Sequence, residues 1–295
     1  MKRTLSYTIT NKNKADTIGA FLRDAGYSRR ILIELKQNPE QICLNETPSW
    51  LNTPLQIGDT LTLFLPDEPV SSDILPVNRP IDIVYEDEDL IILNKAAGMP
   101  VHPSQGHHEN TLANALAYRF ASRGEHFVFR AVNRLDRDTT GLLLIAKHKI
   151  SGAFLSAMTA KKEIRREYLA IVSGKPEESG TIDLPIARKD GSTIERCIDM
   201  EHGEHAVTHY RCLDYRDDLD CSLVLLRLET GRTHQIRVHM KAIGHPLLGD
   251  FLYNPDYRFI GRQALHSYTV AFRHPITGEA MEFTAPMPED FSFFH

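Results

Sequence analysis

Four prolines and two serines fall in the fifteen residues from Pro66 to Pro80, at Pro66, Pro69, Ser71, Ser72, Pro76 and Pro80. Proline fixes φ and carries no amide hydrogen, so this stretch can neither continue a helix nor sit inside a sheet. It divides the chain into a small unit at 1–66, a linker at 67–80 and a larger unit at 81–295. The full length of 295 residues agrees with two domains.

The small unit reads helix, helix, strand, strand. Ile18, Phe21 and Leu22 recur at helical spacing, Gly26 is placed to end that helix, and Ser28 to cap a second through Ile31, Leu32 and Leu35. The apolar runs Ile42 to Leu44 and Leu61 to Leu65 follow, with Gly58 and Asp59 turning between them. In the larger unit, Ile81 to Val84 and Leu90 to Leu93 flank an acidic turn. β-rich runs recur at Leu142–Ala146, Tyr168–Val172, Ala206–Cys212, Leu223–Leu228, Ser267–Phe272 and Met281–Ala285. Helical patterns are fewer, at Thr111–Ala121, Ser151–Glu163 and Thr233–Ile243. Strands that mostly follow one another through short turns predict an α+β fold, a mixed, mainly antiparallel sheet with helices packed on it.

With 42% hydrophobic and 25% charged residues the composition is that of an ordinary globular protein. The longest apolar stretches, Gly141–Ala146 and Cys221–Leu226, fall far below the roughly 18 residues a membrane span needs. Met1 to Thr10 lacks the apolar core of a leader peptide, so a cytoplasmic address and no membrane partner are expected. The four cysteines form no CxxC pair and read as reduced thiols. His107 with His108, and His234 with His239, lack zinc-site spacing, so no metal is expected. Neither a G-x-G-x-x-G loop nor a GKS/GKT phosphate loop is present, so no nucleotide cofactor is expected.

The net charge of −5 argues against indiscriminate nucleic-acid binding, but its distribution is uneven. Residues 1–36 carry eight Lys/Arg against three acids, and residues 130–166 carry nine against three. Two basic segments in an acidic chain are two places where a polyanion could rest, Arg29 and Arg30 marking the first; solvated helix faces are the plain alternative.

Three segments carry chemistry. In Ala131–Gly141, polar residues run straight into a buried strand, which places Asp136 at the strand's mouth beside Arg134 and Arg137. A simple turn, with Asp136 or Asp138 bonding nearby backbone N–H groups, would give the same pattern. In Arg166–Gly174, a strand burying every second residue presents Tyr168, which suits stacking on a nucleobase; alone it reads as a core tyrosine. In Glu229–Asp250, Thr233 is placed to cap a helix whose first turn bears His234, Gln235 and Arg237, with Arg232 just before it. Such a cluster needs an anion, either an internal carboxylate or a phosphate.

The strings NRLDRDTTG, REYLAIVSG and ETGRTHQIRVHMKAIGHPLLGD, with NKAAGMPVHPS at 94–104 and ALHS at 264–267, resemble in sequence and order the motif set of the RluA-type pseudouridine synthases. The resemblance covers about 81–295. Gly26–Ile31 with Leu44-Asn45 and Gly58-Asp59 resembles, more weakly, the small S-four-like RNA-binding domain. The resemblance implies a pseudouridine synthase fold and a catalytic Asp136, with Tyr168 stacking on the base and Arg237 paired with the aspartate. It implies RNA contacts at Arg134, beside which Arg137, Arg232 and His234 supply basic walls. Asn133 stands where the family usually has His, Thr140 where Ser is common and Ala96 where Pro is common.

The implied reaction breaks the bond from ribose to a uracil nitrogen, turns the base and rejoins the sugar to a ring carbon. It needs no cofactor, in keeping with the missing loops. The base must leave its stack, so an aromatic platform and basic walls are required. An ionised carboxylate acts as nucleophile or base towards the ribose, and an arginine keeps it charged. The expected partner is ribosomal or transfer RNA and the expected state a monomer. The competing reading, a non-catalytic RNA-binding or ribosome-assembly protein, predicts loss of the carboxylate or the tyrosine, and both are present.

Overall fold

The computed structural model describes residues 3–69, 74–104, 106 and 108–294, so Ser71, Ser72 and His107 lie outside the described residues. The first unit holds β1 (Arg3–Thr8), α1 (Ile18–Asp24), α2 (Arg29–Gln37), β2 (Ile42–Leu44), β3 (Thr47–Pro48) and β4 (Thr60–Leu65), its sheet ordered β1-β4-β2-β3. Thr17 Oγ1 accepts the Ala20 amide and Ser28 Oγ the Ile31 amide, which fixes both helix starts. Leu5, Ile18, Phe21, Leu22, Leu35, Leu61 and Leu63 fill the core between helices and sheet.

The second unit contains β5 (Asp82–Glu86), β6 (Leu90–Lys95), α3 (Leu112–Ala121), β7 (Thr140–Ala146), α4 (Lys149–Ala160), β8 (Arg165–Ser173), β9 (Ser179–Asp183), β10 (Ile186–Arg188), β11 (Arg196–Ile198), β12 (Val207–Arg216), β13 (Cys221–Leu228), α5 (Gln235–Ala242), β14 (Leu265–Arg273) and β15 (Ala280–Thr284). Among the described residues a nine-stranded sheet runs β5-β6-β7-β14-β8-β13-β12-β9, with β15 on β14. Its pairings are antiparallel except β7 with β14. This is the mixed, mainly antiparallel α+β architecture expected. Residues of α3 and α5, including Leu116, Phe120, Ile236 and Met240, pack on one face. Leu155 of α4 and the C-terminal Phe291 and Phe294 cover the other.

One local expectation changes. Tyr168 to Val172 on β8 are all buried rather than alternately so, because this central strand is covered on both faces. Although the connection between the units is rich in proline, the first unit packs on α4. Ile150 belongs to the core of that unit, and Tyr27 meets Phe154 edge-on with ring centroids 5.1 Å apart. Arg3 Nε donates to Asp89 Oδ1 at 2.9 Å, and Lys149 pairs with Glu34. The described part of the connecting segment is also tied, the Val77 amide to Asn114 O at 3.1 Å and Asn114 Nδ2 to Leu75 O at 2.8 Å. Proline limits local conformations, but the apolar side of α4 still has to be covered.

Candidate active site

The loop entering β7 is held from below. Asn133 Oδ1 accepts the Leu144 amide at 3.0 Å, and the Thr139 amide returns to Asp136 O at 3.1 Å. Gly141 has φ 102°, and a Cβ there would lie 2.2 Å from Ser267 O, so only glycine lets β7 and β14 approach. Buried Lys95 donates to Ala96 O, Met99 O and Arg137 O at 2.9, 3.0 and 2.8 Å, pinning the residue after Asp136. Burial pulls the Lys95 ammonium down to about 7, against the pull of Asp138 and Asp136.

Asp136 Oδ2 accepts Arg237 Nη1 at 2.9 Å. Arg237, 1% exposed, donates its other edge, Nε and Nη2, to Asp250 Oδ2 and Oδ1, each at 2.7 Å. Asp250 is fully buried and its Oδ1 also accepts the amides of Leu252 and Tyr253 at 3.1 and 3.2 Å. The rings of Phe251 and Tyr253 lie 5.4 and 5.1 Å from the guanidinium carbon. Although burial opposes the charge, the bond to Asp250 and the field of Asp136 raise the guanidinium's already high pKa.

Tyr168 stands between Leu226 of β13 and Ser267 of β14 in the sheet register. Burial raises its phenol above the usual range, against the charge of Arg166 and a hydrogen bond with Ser267. A small cavity of about 60 Å³ brings together Arg134, Asp136, Tyr168, Arg232, His234 and Arg237, residues drawn from three distant segments. A larger cavity of about 750 Å³ lies elsewhere, between α2 and α4, and includes none of these residues. Its volume marks the seam between the units rather than the chemistry.

Arg137 does not join the cavity: it pairs with Asp138 at 2.8 Å. Arg29 and Arg30 are remote from it and from each other's surroundings. Arg29 shares a groove with Arg23 and Lys36, whereas Arg30 faces the seam with Arg130 and Lys149. Arg134 Nη2 donates to Thr233 Oγ1 at 3.2 Å, and Arg232 pairs with Glu204. Thr233 is not the helix cap. His234 occupies that position with φ 56° and no side-chain capping bond. Sequence reading also missed Asp250, Lys95 and Tyr253; the need of the Arg232–Arg237 cluster for an anion was the available signal for Asp250.

Away from this cavity, Asp87, Asp89 and His274 approach one another closely, but their atoms are already engaged. His274 Nδ1 accepts the amides of Ile276 and Thr277, which leaves Nε2–H to donate to Asp87 at 3.0 Å. Asp89 is taken by Arg3 and His148. The set fits a hydrogen-bond network better than a metal site. No helix among the described residues is long and apolar enough to cross a membrane.

The profile of the RNA pseudouridylate synthase family matches residues 89–242, the span containing Asp136, Tyr168 and Arg237. The chain is 40% identical to the uncharacterized RNA pseudouridine synthase YjbO of Bacillus subtilis, over 94% of this chain and 97% of that protein. It is 44% identical to the ribosomal large subunit pseudouridine synthase D of Zymomonas mobilis, over 73% and 72% of the two chains. Human RNA pseudouridylate synthase domain containing 1 matches in structure with a TM-score of 0.58 and 28% identity, over 74% of this chain and 86% of that one. The chain belongs to the RNA pseudouridylate synthase family. It is a pseudouridine synthase, an isomerase that modifies RNA.

Proposed function

We propose that Asp136 acts on the ribose of a flipped uridine, with Arg237 as its charge partner and Tyr168 as the platform for the base. The convergence of these three side chains in one cavity, from segments 32 and 69 residues apart in sequence (168 − 136; 237 − 168), carries this reading. Arg237 is held by Asp250 along two nitrogens, so its remaining nitrogen meets Asp136 in a fixed direction. The carboxylate stays partly accessible, its side chain 27% exposed, as a group that must reach a sugar requires. The buried phenol of Tyr168 keeps its proton and offers an apolar face to uracil. Arg134 and Arg232 line the mouth and serve as strand contacts, and exposed Arg137 exchanges Asp138 for phosphate when RNA arrives.

Residues 1–66 act as an S-four-like RNA-binding domain through Arg29 and Arg30, residues 67–80 as the connection and residues 81–295 as the catalytic domain. Ribosomal RNA is the favoured substrate over transfer RNA, because relatives 42–44% identical carry the name ribosomal large subunit pseudouridine synthase D. Pseudouridine mapping of total RNA from a deletion strain and its parent tests the target. Sites lost from large-subunit ribosomal RNA support it, and sites lost only from transfer RNA overturn it.

A further inference from the structure

Of the non-glycine residues with positive φ, Asn45, Glu46, Lys162 and Asp220 are exposed. His234 is different: at φ 56° it lies in the cavity, with its side chain only 12% exposed. Left-handed backbone is unfavourable for a packed non-glycine side chain, and such strain collects where geometry serves function.

The hydrogen bonds around the imidazole favour one of its tautomers. Tyr253 Oη already accepts the Arg196 amide at 2.8 Å and lies 3.0 Å from His234 Nδ1. A buried phenol satisfies its own proton best by donating it to Nδ1, an arrangement that favours the tautomer with the imidazole hydrogen on Nε2. Burial lowers the pKa of His234, against the pull of Asp136 and with the help of Arg237, which favours the neutral ring. Nε2 stands 3.8 Å from Asp136 Oδ2, beyond hydrogen-bond reach. Its neighbours are engaged: Arg237 with Asp250 and Asp136, Arg232 with Glu204, and Gln235 Nε2 with Val207 O and Thr208 Oγ1. The cavity thus holds a neutral N–H donor with no acceptor within bonding distance among the described residues.

We propose that His234 Nε2–H hydrogen-bonds the uracil as it separates from the ribose. In that step the bond from ribose C1′ to uracil N1 breaks and its electron pair leaves with the base. The negative charge spreads over N1 and the adjacent carbonyl oxygen, and His234 donates to that oxygen without giving up its proton. The charge is discharged when C1′ bonds to C5; C5 then gives up its hydrogen as a proton to solvent, and N1 takes up a proton. A donor fixed in advance towards developing charge is most effective where water is excluded. The proposal rests on the pseudouridine-forming reading of the Asp136 site.

The test compares wild type, His234→Phe and His234→Gln in single-turnover conversion, read by nucleoside chromatography. The substrates are one target RNA with uridine, followed as pseudouridine formed, and the same RNA with 5-fluorouridine at the modified position, whose base is the better leaving group and whose conversion is followed as loss of the 5-fluorouridine nucleoside, since C5 there has no proton to release. His234→Phe should lose roughly 100-fold in rate on uridine with RNA affinity nearly unchanged, the usual size of a lost donor. The loss should be markedly smaller on 5-fluorouridine, and His234→Gln, which keeps an N–H, should recover part of it. If His234→Phe does not fold, His234→Gly suits the left-handed backbone, carries no side-chain donor and makes the same comparison. A rate near wild type, or equal losses on both substrates, overturns the proposal. Full activity of Asp136→Asn would instead overturn the reading beneath it.

Discussion

Asp250 and Arg237 meet along a full edge, with two nitrogens on two carboxylate oxygens at 2.7 Å and nothing of Asp250 exposed to water. The guanidinium is therefore neutralised from behind before Asp136 engages it, and Asp136 receives one directed bond rather than a buried, inert pair.

Arg237→Met should be severely destabilising. It leaves Asp250 as an unpaired buried charge, a loss of about 3–5 kcal/mol in comparable pairs. Urea denaturation should show this together with loss of activity at temperatures where the variant remains folded. Stability within about 1 kcal/mol of wild type would show that another cation serves Asp250.

Lys95→Met should weaken the support of the Asp136 loop, since three backbone carbonyls lose their donor. The pH dependence is specific. The Lys95 ammonium sits at about 7 in the folded chain against an ordinary 10.5, so its burial penalty is full below pH 7 and fades as pH rises towards 10.5. Wild-type stability should therefore gain on that of Lys95→Met across pH 7 to 10.5. A constant difference across that range would contradict the buried-ammonium account.

Asp89 ties the two units together. Burial pushes its carboxyl up, but bonds from His148 and Arg3 outweigh this and hold it down to about 2. Its folded value lies below the unfolded 3.8, so the stabilisation is present above pH 3.8 and is lost as pH falls towards 2. Arg3→Met should shrink the acid-induced loss in that window while leaving the alkaline side unchanged. An identical acid titration curve would refute the tie.

Removal of residues 1–74 should uncover Ile150 and Phe154 on α4. The expected outcome is a lower melting temperature and self-association in sedimentation, relieved by polar replacements at those two positions. A monomer that melts like the full chain would show that the contact contributes little.

Much of the architecture was legible because strand alternation and helix caps are local signals. Thr17 and Ser28 cap as their types suggest. Asp136, Tyr168 and Arg237 were nameable through motif resemblance, whereas their meeting depends on pairings between β7, β14, β8 and β13 that periodicity does not encode. His234 was misread because Thr233 precedes an apolar run as an N-cap would; left-handed backbone at a histidine has no compositional mark. Asp250 lies in a loop after Gly249, without periodic context, and only its partner's charge points to it. The docking of the first unit was hidden for a similar reason: Ile150 and Phe154 read as ordinary apolar positions of α4, without indicating which unit they face.

The central claim is that the Asp136 carboxylate carries the reaction, and tritium release from RNA labelled at uracil C5 tests it most directly. Asp136→Asn preserves shape and removes charge, so RNA binding and thermal stability should stay close to wild type while tritium release falls to background. Turnover within about tenfold of wild type, a difference of only about 1.4 kcal/mol in the barrier, would contradict the account.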